Sequence, residues 1–228
     1  MCGRYLLTHS AADIAAFFRT IPTPAEYASG RNISPMQSIL VVTGGDEPRL
    51  TAMRWGIMPY WANAPRSNRP VINARSETVT EKPLFRDLLQ ANRCVVPASG
   101  YYEWPKSRPR RSKPFEIAFA DGEPMAMAAL WTRTAPNDVG GPACVIITSV
   151  PAQEIAEVHD RMPVLLTQTA TEIWLNKATS VPEAVQLLQP WHYDRLQVIE
   201  SGNHLTPQTS KRAIKGRVTQ QLDLWEDL

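Results

Sequence analysis

Six short apolar runs, SILVVT, RLTAMRW, CVVPASGYYEW, FEIAFA, MAMAALWT and ACVIITSV, fill the middle of the chain, separated by proline, glycine and aspartate. Runs of this length, rich in β-branched and aromatic residues, are strands rather than helices, and the turn residues between them favour antiparallel neighbours. Proline outnumbers glycine 20 to 11, which adds fixed turns and leaves little room for long helices. Ser10 followed by Asp13 has capping-box spacing, with Ile14, Phe17 and Phe18 at helical intervals, so a first helix is predicted over residues 10–19. A second is predicted over about 83–91, where Leu84 and Leu88 share a face, and helical spacing returns in AQEIAEV, TATEIWL and PEAVQLL. The expected fold is α+β: a single domain built on a strongly curved, mainly antiparallel β-sheet, a pseudo-barrel, with peripheral helices.

A chain of 228 residues can bury one sizeable core. Its net charge of +2 is too mild to demand a nucleic-acid partner, so any such reading rests on where the basic residues sit. No apolar run approaches the roughly 18 residues that span a bilayer, and the N-terminus lacks a secretory pattern, so no membrane association and an intracellular location are expected. The cysteines Cys2, Cys94 and Cys144 are odd in number and lack CxxC spacing, against both a disulfide framework and a zinc ribbon. Cys94 and Cys144 sit in β-branched runs and read as small core residues; Cys2 does not. From about Thr206 the composition turns polar and basic, which marks residues 206–228 as a tail beyond a domain of residues 2–205.

The start, MCGRY, carries the most specific chemistry. A second residue as small as cysteine is one that methionine aminopeptidase accepts, and removal of Met1 is expected. The new terminus then holds an amine and a thiol on adjacent carbons. A terminal amine has a reference pKa of about 7.7 to 8.0 against about 10.4 for lysine, so far more of it is a free nucleophile near neutral pH. It can attack an aldehyde, and the thiol can add to the resulting imine carbon to close a five-membered thiazolidine. The bland alternative is a buried terminal residue without chemical purpose.

Four further stretches hold candidate groups. In INARSET at 72–78, Asn73 can hydrogen-bond a terminal amine or thiol and Arg75 can fork onto a phosphate; otherwise the segment is a turn with a surface ion pair. Glu103 in GYYEW lies among aromatics, a setting that raises a carboxyl pKa for acid/base work, unless it alternates outward to solvent. HDRMPV supplies His159, the best general acid among four histidines. Trp55, Tyr60 and Trp61 interleave with Arg54, Arg66 and Arg69, the mixture of stacking planes and cations that suits single strands, or else a packed aromatic corner beside a solvated loop. KSRPRRSK at 106–113 reads as a solvated hairpin tip that can add nonspecific attraction to DNA.

Taken together, MCGR, NISP at 32–35, RWGIMPYW at 54–61, NARSET, RCVVPASGYYEW at 93–104 and HDRMPV at 159–164 resemble the SOS-response-associated peptidase family, in order across residues 2–205. That family includes proteins that shield abasic sites in single-stranded DNA. The resemblance implies an exposed Cys2 that meets the ring-opened aldehyde of an abasic deoxyribose and forms a thiazolidine cross-link. It implies that Asn73 orients the Cys2 terminus while Glu103 and His159 assist ring opening and proton transfer. Arg4, Arg75 and Arg161 would grip flanking phosphates, with Trp61 stacking on a neighbouring base and Thr148 close to the DNA backbone. No metal or organic cofactor is implied, the expected state is a monomer, and the location is the bacterial cytoplasm at the nucleoid. The family name also records peptidase activity, and lyase action at the lesion is a further possibility.

QLDLW at 221–225 resembles the pentapeptide by which bacterial repair proteins dock on the sliding clamp: Gln221, Leu222, Leu224 and Trp225 would enter the pocket, on a basic linker. Two rivals to the cross-linking function stand. One is a thiol peptidase using Cys2, His159 and Glu103; the other is a binding module for single-stranded or modified DNA without a covalent step.

Overall fold

In the computed structural model, residues 2–22, 26–45, 47–59, 70–105, 113–133, 141–190 and 194–202 are described. Trp61, Tyr60, Arg66, Arg69, residues 106–112 and the whole tail with Gln221, Leu222, Leu224 and Trp225 lie outside them.

Five strands close on themselves. β4 (Ser38–Thr43) pairs antiparallel with β5 (Arg49–Trp55), and on its other edge with β7 (Arg93–Ala98). β7 continues to β10 (Met125–Thr132), β10 to β11 (Ala143–Ser149), and β11 returns to β5 in parallel through Ala143 opposite Arg54 and Cys144 opposite Trp55. The result is a small closed barrel, which leaves no open edge along that ring. Pro97 lies inside β7, where a missing N–H would normally break a ladder. The ladder to β4 covers only Cys94 and Val95, so Pro97 falls where that edge has ended.

The remaining edge of β11 carries the pieces that matter for chemistry. β6 (Asn73–Arg75) runs parallel to it, with Asn73 opposite Ile146 and Arg75 opposite Thr148. On the other side β12 (Met162–Pro163) sets Pro163 opposite Thr148. β2 (Ile21–Pro22) extends the barrel from β5, and β13 (Leu165–Leu166) pairs with β10.

A second, antiparallel sheet runs in the order β14 (Leu196–Glu200), β9 (Phe115–Phe119), β8 (Gly100–Glu103), β1 (Tyr5–Leu7) and β3 (Gly30–Ile33). It meets the barrel through Tyr5 and Trp55, whose rings touch edge to face at 5.5 Å, while the indole N–H of Trp55 donates to the Ile72 carbonyl. Trp55 is thus a core residue and not a stacking surface. Cys94 and Cys144 are buried in the barrel, as their settings predicted.

The helices are short and peripheral. α1 (Ala11–Phe17) starts with the Ser10–Asp13 capping box, and stops earlier than expected because Arg19 takes a left-handed φ of 52°. α2 (Pro83–Ala91) has proline in its first turn, where the lost N–H costs nothing. It buries Phe85 and Leu89, with Leu84 and Leu88 flanking that stripe. α3 (Gln153–Ala156), α4 (Gln168–Leu175) and α5 (Val181–Gln186) complete the set. Arg93 ties two of them down: its buried guanidinium donates to the carbonyls of Leu89, Trp174, Asn176 and Thr179, which fill the open ends of α2 and α4.

Candidate active site

Strand register brings together groups far apart in sequence. β1 pairs with β8, Tyr5 opposite Tyr101, and the Tyr102 N–H donates to the Arg4 carbonyl at 2.9 Å. Extending that antiparallel register backward carries Cys2 toward Glu103 at the far end of β8. β11 then gathers the rest, because β6 delivers Asn73 along one edge and the turn before β12 delivers His159 along the other.

Asn73 holds the terminus through the backbone. Its side-chain Nδ2 donates to the Cys2 carbonyl oxygen at 2.8 Å, not to an amine or thiol as expected. A carbonyl only accepts, which assigns the nitrogen of the carboxamide to that side. The Oδ1 atom is buried without a hydrogen-bond partner among the described residues.

Cys2 departs from expectation. It is 0% exposed and part of the core cluster, because the segment leading into β1 is drawn inward with the strand. Burial, and then the Glu103 charge, hold its thiol well above the usual cysteine range.

Glu103 is 3% exposed, so the outward-facing alternative is eliminated. Burial pushes its carboxyl up to about 7, with the Asp160 charge adding to the effect. One carboxylate oxygen lies 3.7 Å from Nε2 of His159. On the other side of the ring, Nδ1 faces Asp160 Oδ1 at 3.2 Å and receives the Arg161 backbone N–H at 3.1 Å. The arrangement can pass a proton: a carboxyl that titrates near neutrality faces an imidazole with partners on both nitrogens. Among the described residues, no group of three or more His, Cys, Asp or Glu side chains could hold a metal ion.

Comparison with known proteins gives this geometry a context. The family model for the SOS response associated peptidase matches residues 1–205. The chain belongs to that family. It is 36% identical over 207 residues to the abasic site processing protein YoqW of Bacillus subtilis, covering 88% of this chain and 92% of the relative. Identity to abasic site processing protein YedK of Escherichia coli is 31% over 193 residues, covering 82% and 85% of the two chains. A crystal structure of a protein from Bacteroides thetaiotaomicron shares the fold with a TM-score of 0.77 at 24% identity, covering 93% of this chain and all of that one.

The residues expected to touch DNA in this family member divide into three kinds. Arg75 is exposed on β6. Arg4 is half-buried, with Nη1 donating to Asn32 Oδ1 at 2.7 Å and Nε buried without a hydrogen-bond partner among the described residues. Burial lowers its pKa. Thr148 and Arg161 are both engaged within the chain. Thr148 is 0% exposed in the middle of the β6–β11–β12 ladder, and its hydroxyl faces the Ala74 carbonyl. Arg161 places its guanidinium fork on Glu77 and on the Thr148 carbonyl.

Glu77 and Asp160 were not singled out from sequence. Glu77 fits the turn-with-ion-pair alternative for NARSET, but its partner lies 84 positions away, beyond any local pattern. Asp160 adjoins His159 in sequence, and that adjacency was the available signal.

Proposed function

We propose that this protein shields abasic sites in single-stranded DNA by bonding to them covalently through Cys2 after loss of Met1. The observation that carries the reading is the convergence on Cys2 of Asn73, which holds its backbone, and of the Glu103–His159 pair, whose carboxylate charge reaches the Cys2 thiol. The names of the relatives, abasic site processing proteins, supply the substrate class.

The chemistry follows from the groups present. The ring-opened sugar exposes an aldehyde at C1′, and the Cys2 amine adds to it. Loss of one water gives an imine, for which a protonated Glu103 or His159 supplies the acid. The Cys2 thiol then adds across the C=N bond, forming a C–S bond and returning a proton to nitrogen. The net change is aldehyde plus aminothiol to thiazolidine and water, with no oxidant or reductant. Asn73 Oδ1, the buried acceptor, suits a proton of the new terminal amine.

The thiol peptidase reading requires a thiolate as its first nucleophile. Burial and the neighbouring Glu103 carboxylate favour the neutral thiol, which suits a group that acts second, after the amine.

Intact mass spectrometry before and after incubation with an oligonucleotide carrying one abasic site tests the proposal. The expected result is loss of the Met1 mass and a heat-stable adduct that Cys2→Ala abolishes, leaving at most an imine trapped by borohydride. A Met1-free protein that binds the oligonucleotide without forming an adduct would overturn it in favour of the binding module.

A further inference from the structure

We propose that Glu77 is a positioning residue for the cross-linking reaction, acting through Arg161 on the imidazole of His159. The inference rests on the covalent reading above for its substrate, and on geometry for everything else.

Glu77 sits in the 3-10 turn Ser76–Thr78, directly after β6. Arg161 meets it as a two-pronged fork, Nη1 to Oε1 at 2.5 Å and Nη2 to Oε2 at 3.0 Å. Two parallel bonds of this kind fix the planes of both groups as well as their separation. Nη2 also donates to the Thr148 carbonyl at 2.5 Å, so the guanidinium joins the β6 turn, β11 and the turn that leads into β12. Its side chain is 13% exposed, while that of Glu77 is 45% exposed. An ion pair with one partner so open to water adds little to stability, and what it supplies here is placement.

The placement matters because of what the two ends carry. On the β6 side, four residues before Glu77, stands Asn73 with its hold on Cys2. On the other side the Arg161 backbone N–H points at Nδ1 of His159, 3.1 Å away. A backbone N–H can only donate, so this contact favours an accepting Nδ1 with the ring proton on Nε2, the nitrogen that faces Glu103, while Asp160 Oδ1, 3.2 Å from Nδ1, favours the opposite tautomer. The Glu77–Arg161 clasp therefore holds the spacing between the Cys2 side and the His159 side and, by fixing the Arg161 N–H, weights the imidazole toward the tautomer with its proton on Nε2. Without the clasp, Arg161 keeps only Thr148, and the balance at Nδ1 moves toward donation to Asp160 or to the Arg161 carbonyl, 3.3 Å away.

The test uses Glu77→Gln, which removes the charge at constant shape, and Glu77→Asp, which keeps the charge on a shorter arm. Three quantities are measured: the single-turnover rate constant at saturating abasic oligonucleotide, the Kd for an oligonucleotide with an unreactive tetrahydrofuran abasic analogue, and the ¹⁵N shifts of His159 with the ring neutral. Glu77→Gln is expected to lower the rate constant about tenfold or more, with Kd changed by less than about twofold. His159 is expected to shift toward the tautomer with its proton on Nδ1, and Glu77→Asp to recover most of both effects. An unchanged rate constant with unchanged ¹⁵N shifts overturns the proposal. So does a changed Kd at constant rate constant, which would place Glu77 in the grip on DNA. If the wild-type protein forms no adduct, the covalent reading fails on its own, and the His159 shifts of Glu77→Gln still decide whether the clasp weights the tautomer.

Discussion

Asn73 donates to the Cys2 carbonyl at 2.8 Å while its own oxygen is buried without a hydrogen-bond partner among the described residues. An acceptor left in this way costs about 1 to 3 kcal/mol, and a terminal amine placed beside it would recover that. The carboxamide thus both fixes the chain and leaves room for a donor. Replacing Asn73 by Ala removes both functions, and adduct formation at saturating DNA is expected to slow by about ten- to a hundredfold. Asn73→Asp is expected to be no better, since a carboxylate cannot donate to the carbonyl and holds the amine protonated. Single-turnover gels on abasic oligonucleotide measure this; a rate like the wild type would remove Asn73 from the reaction.

Glu103 couples the site to stability. Burial raises its folded pKa to about 7, whereas in an unfolded chain a glutamate titrates at about 4.3. Between these values the folded protein retains a proton that the unfolded chain has released, so stability falls as pH rises through the window. The penalty is absent below the lower value and complete above the upper one. Glu103→Gln is therefore expected to be more stable than wild type by on the order of 3 kcal/mol near pH 8 and equal to it near pH 4. The same variant should form adduct about a hundredfold more slowly, having lost its acid. Urea unfolding at the two pH values checks the first claim; a stability difference independent of pH would show that Glu103 is not held protonated.

The barrel strands and α2 were legible because their signals are local: β-branched runs closed by turns, and Pro83 at a helix start followed by an apolar stripe. The aromatic setting of Glu103 was also local, and its burial followed. What could not be read was register. β1 is three residues long and owes its place to pairing with β8 and β3, and that pairing draws Cys2 inside. For Trp55 the sequence left a stacking surface or a packed aromatic corner, and β5 turns it to the core, against Tyr5. The contacts of Arg161 and Thr148 were hidden for the same reason: Glu77 and Ala74 lie in the turn after β6 and in β6 itself, which the fold brings alongside.

Arg93 gives a stability prediction remote from the site. Its guanidinium serves four carbonyls and lies 5.8 Å from the Trp174 ring centre. Arg93→Met fills the space but leaves those carbonyl acceptors buried without a donor, and is expected to destabilise the fold by about 3 to 5 kcal/mol. Arg93→Lys should recover little, since one ammonium cannot span a fork that reaches four carbonyls. Denaturant titration measures both variants. A loss below about 1 kcal/mol for Arg93→Met would mean that water replaces the guanidinium at the helix ends.

Arg75 offers the cleanest test of the DNA face, since it is exposed while Arg161 is engaged by Glu77. It lies on the strand that carries Asn73, opposite Thr148, which places a cation two residues from the side chain that holds Cys2 rather than on a distant surface. A phosphate held by one arginine on single-stranded DNA contributes about 0.7 to the slope of log K against log salt. Arg75→Ala is expected to reduce that slope by about this amount and to weaken binding alike for all base sequences, because a phosphate contact carries no sequence information. Fluorescence anisotropy across a salt series, with an unreactive abasic analogue, provides the slope. An unchanged slope would show that Arg75 meets no phosphate. A loss confined to one sequence context would make it a base contact, and would move the recognition of flanking nucleotides onto β6.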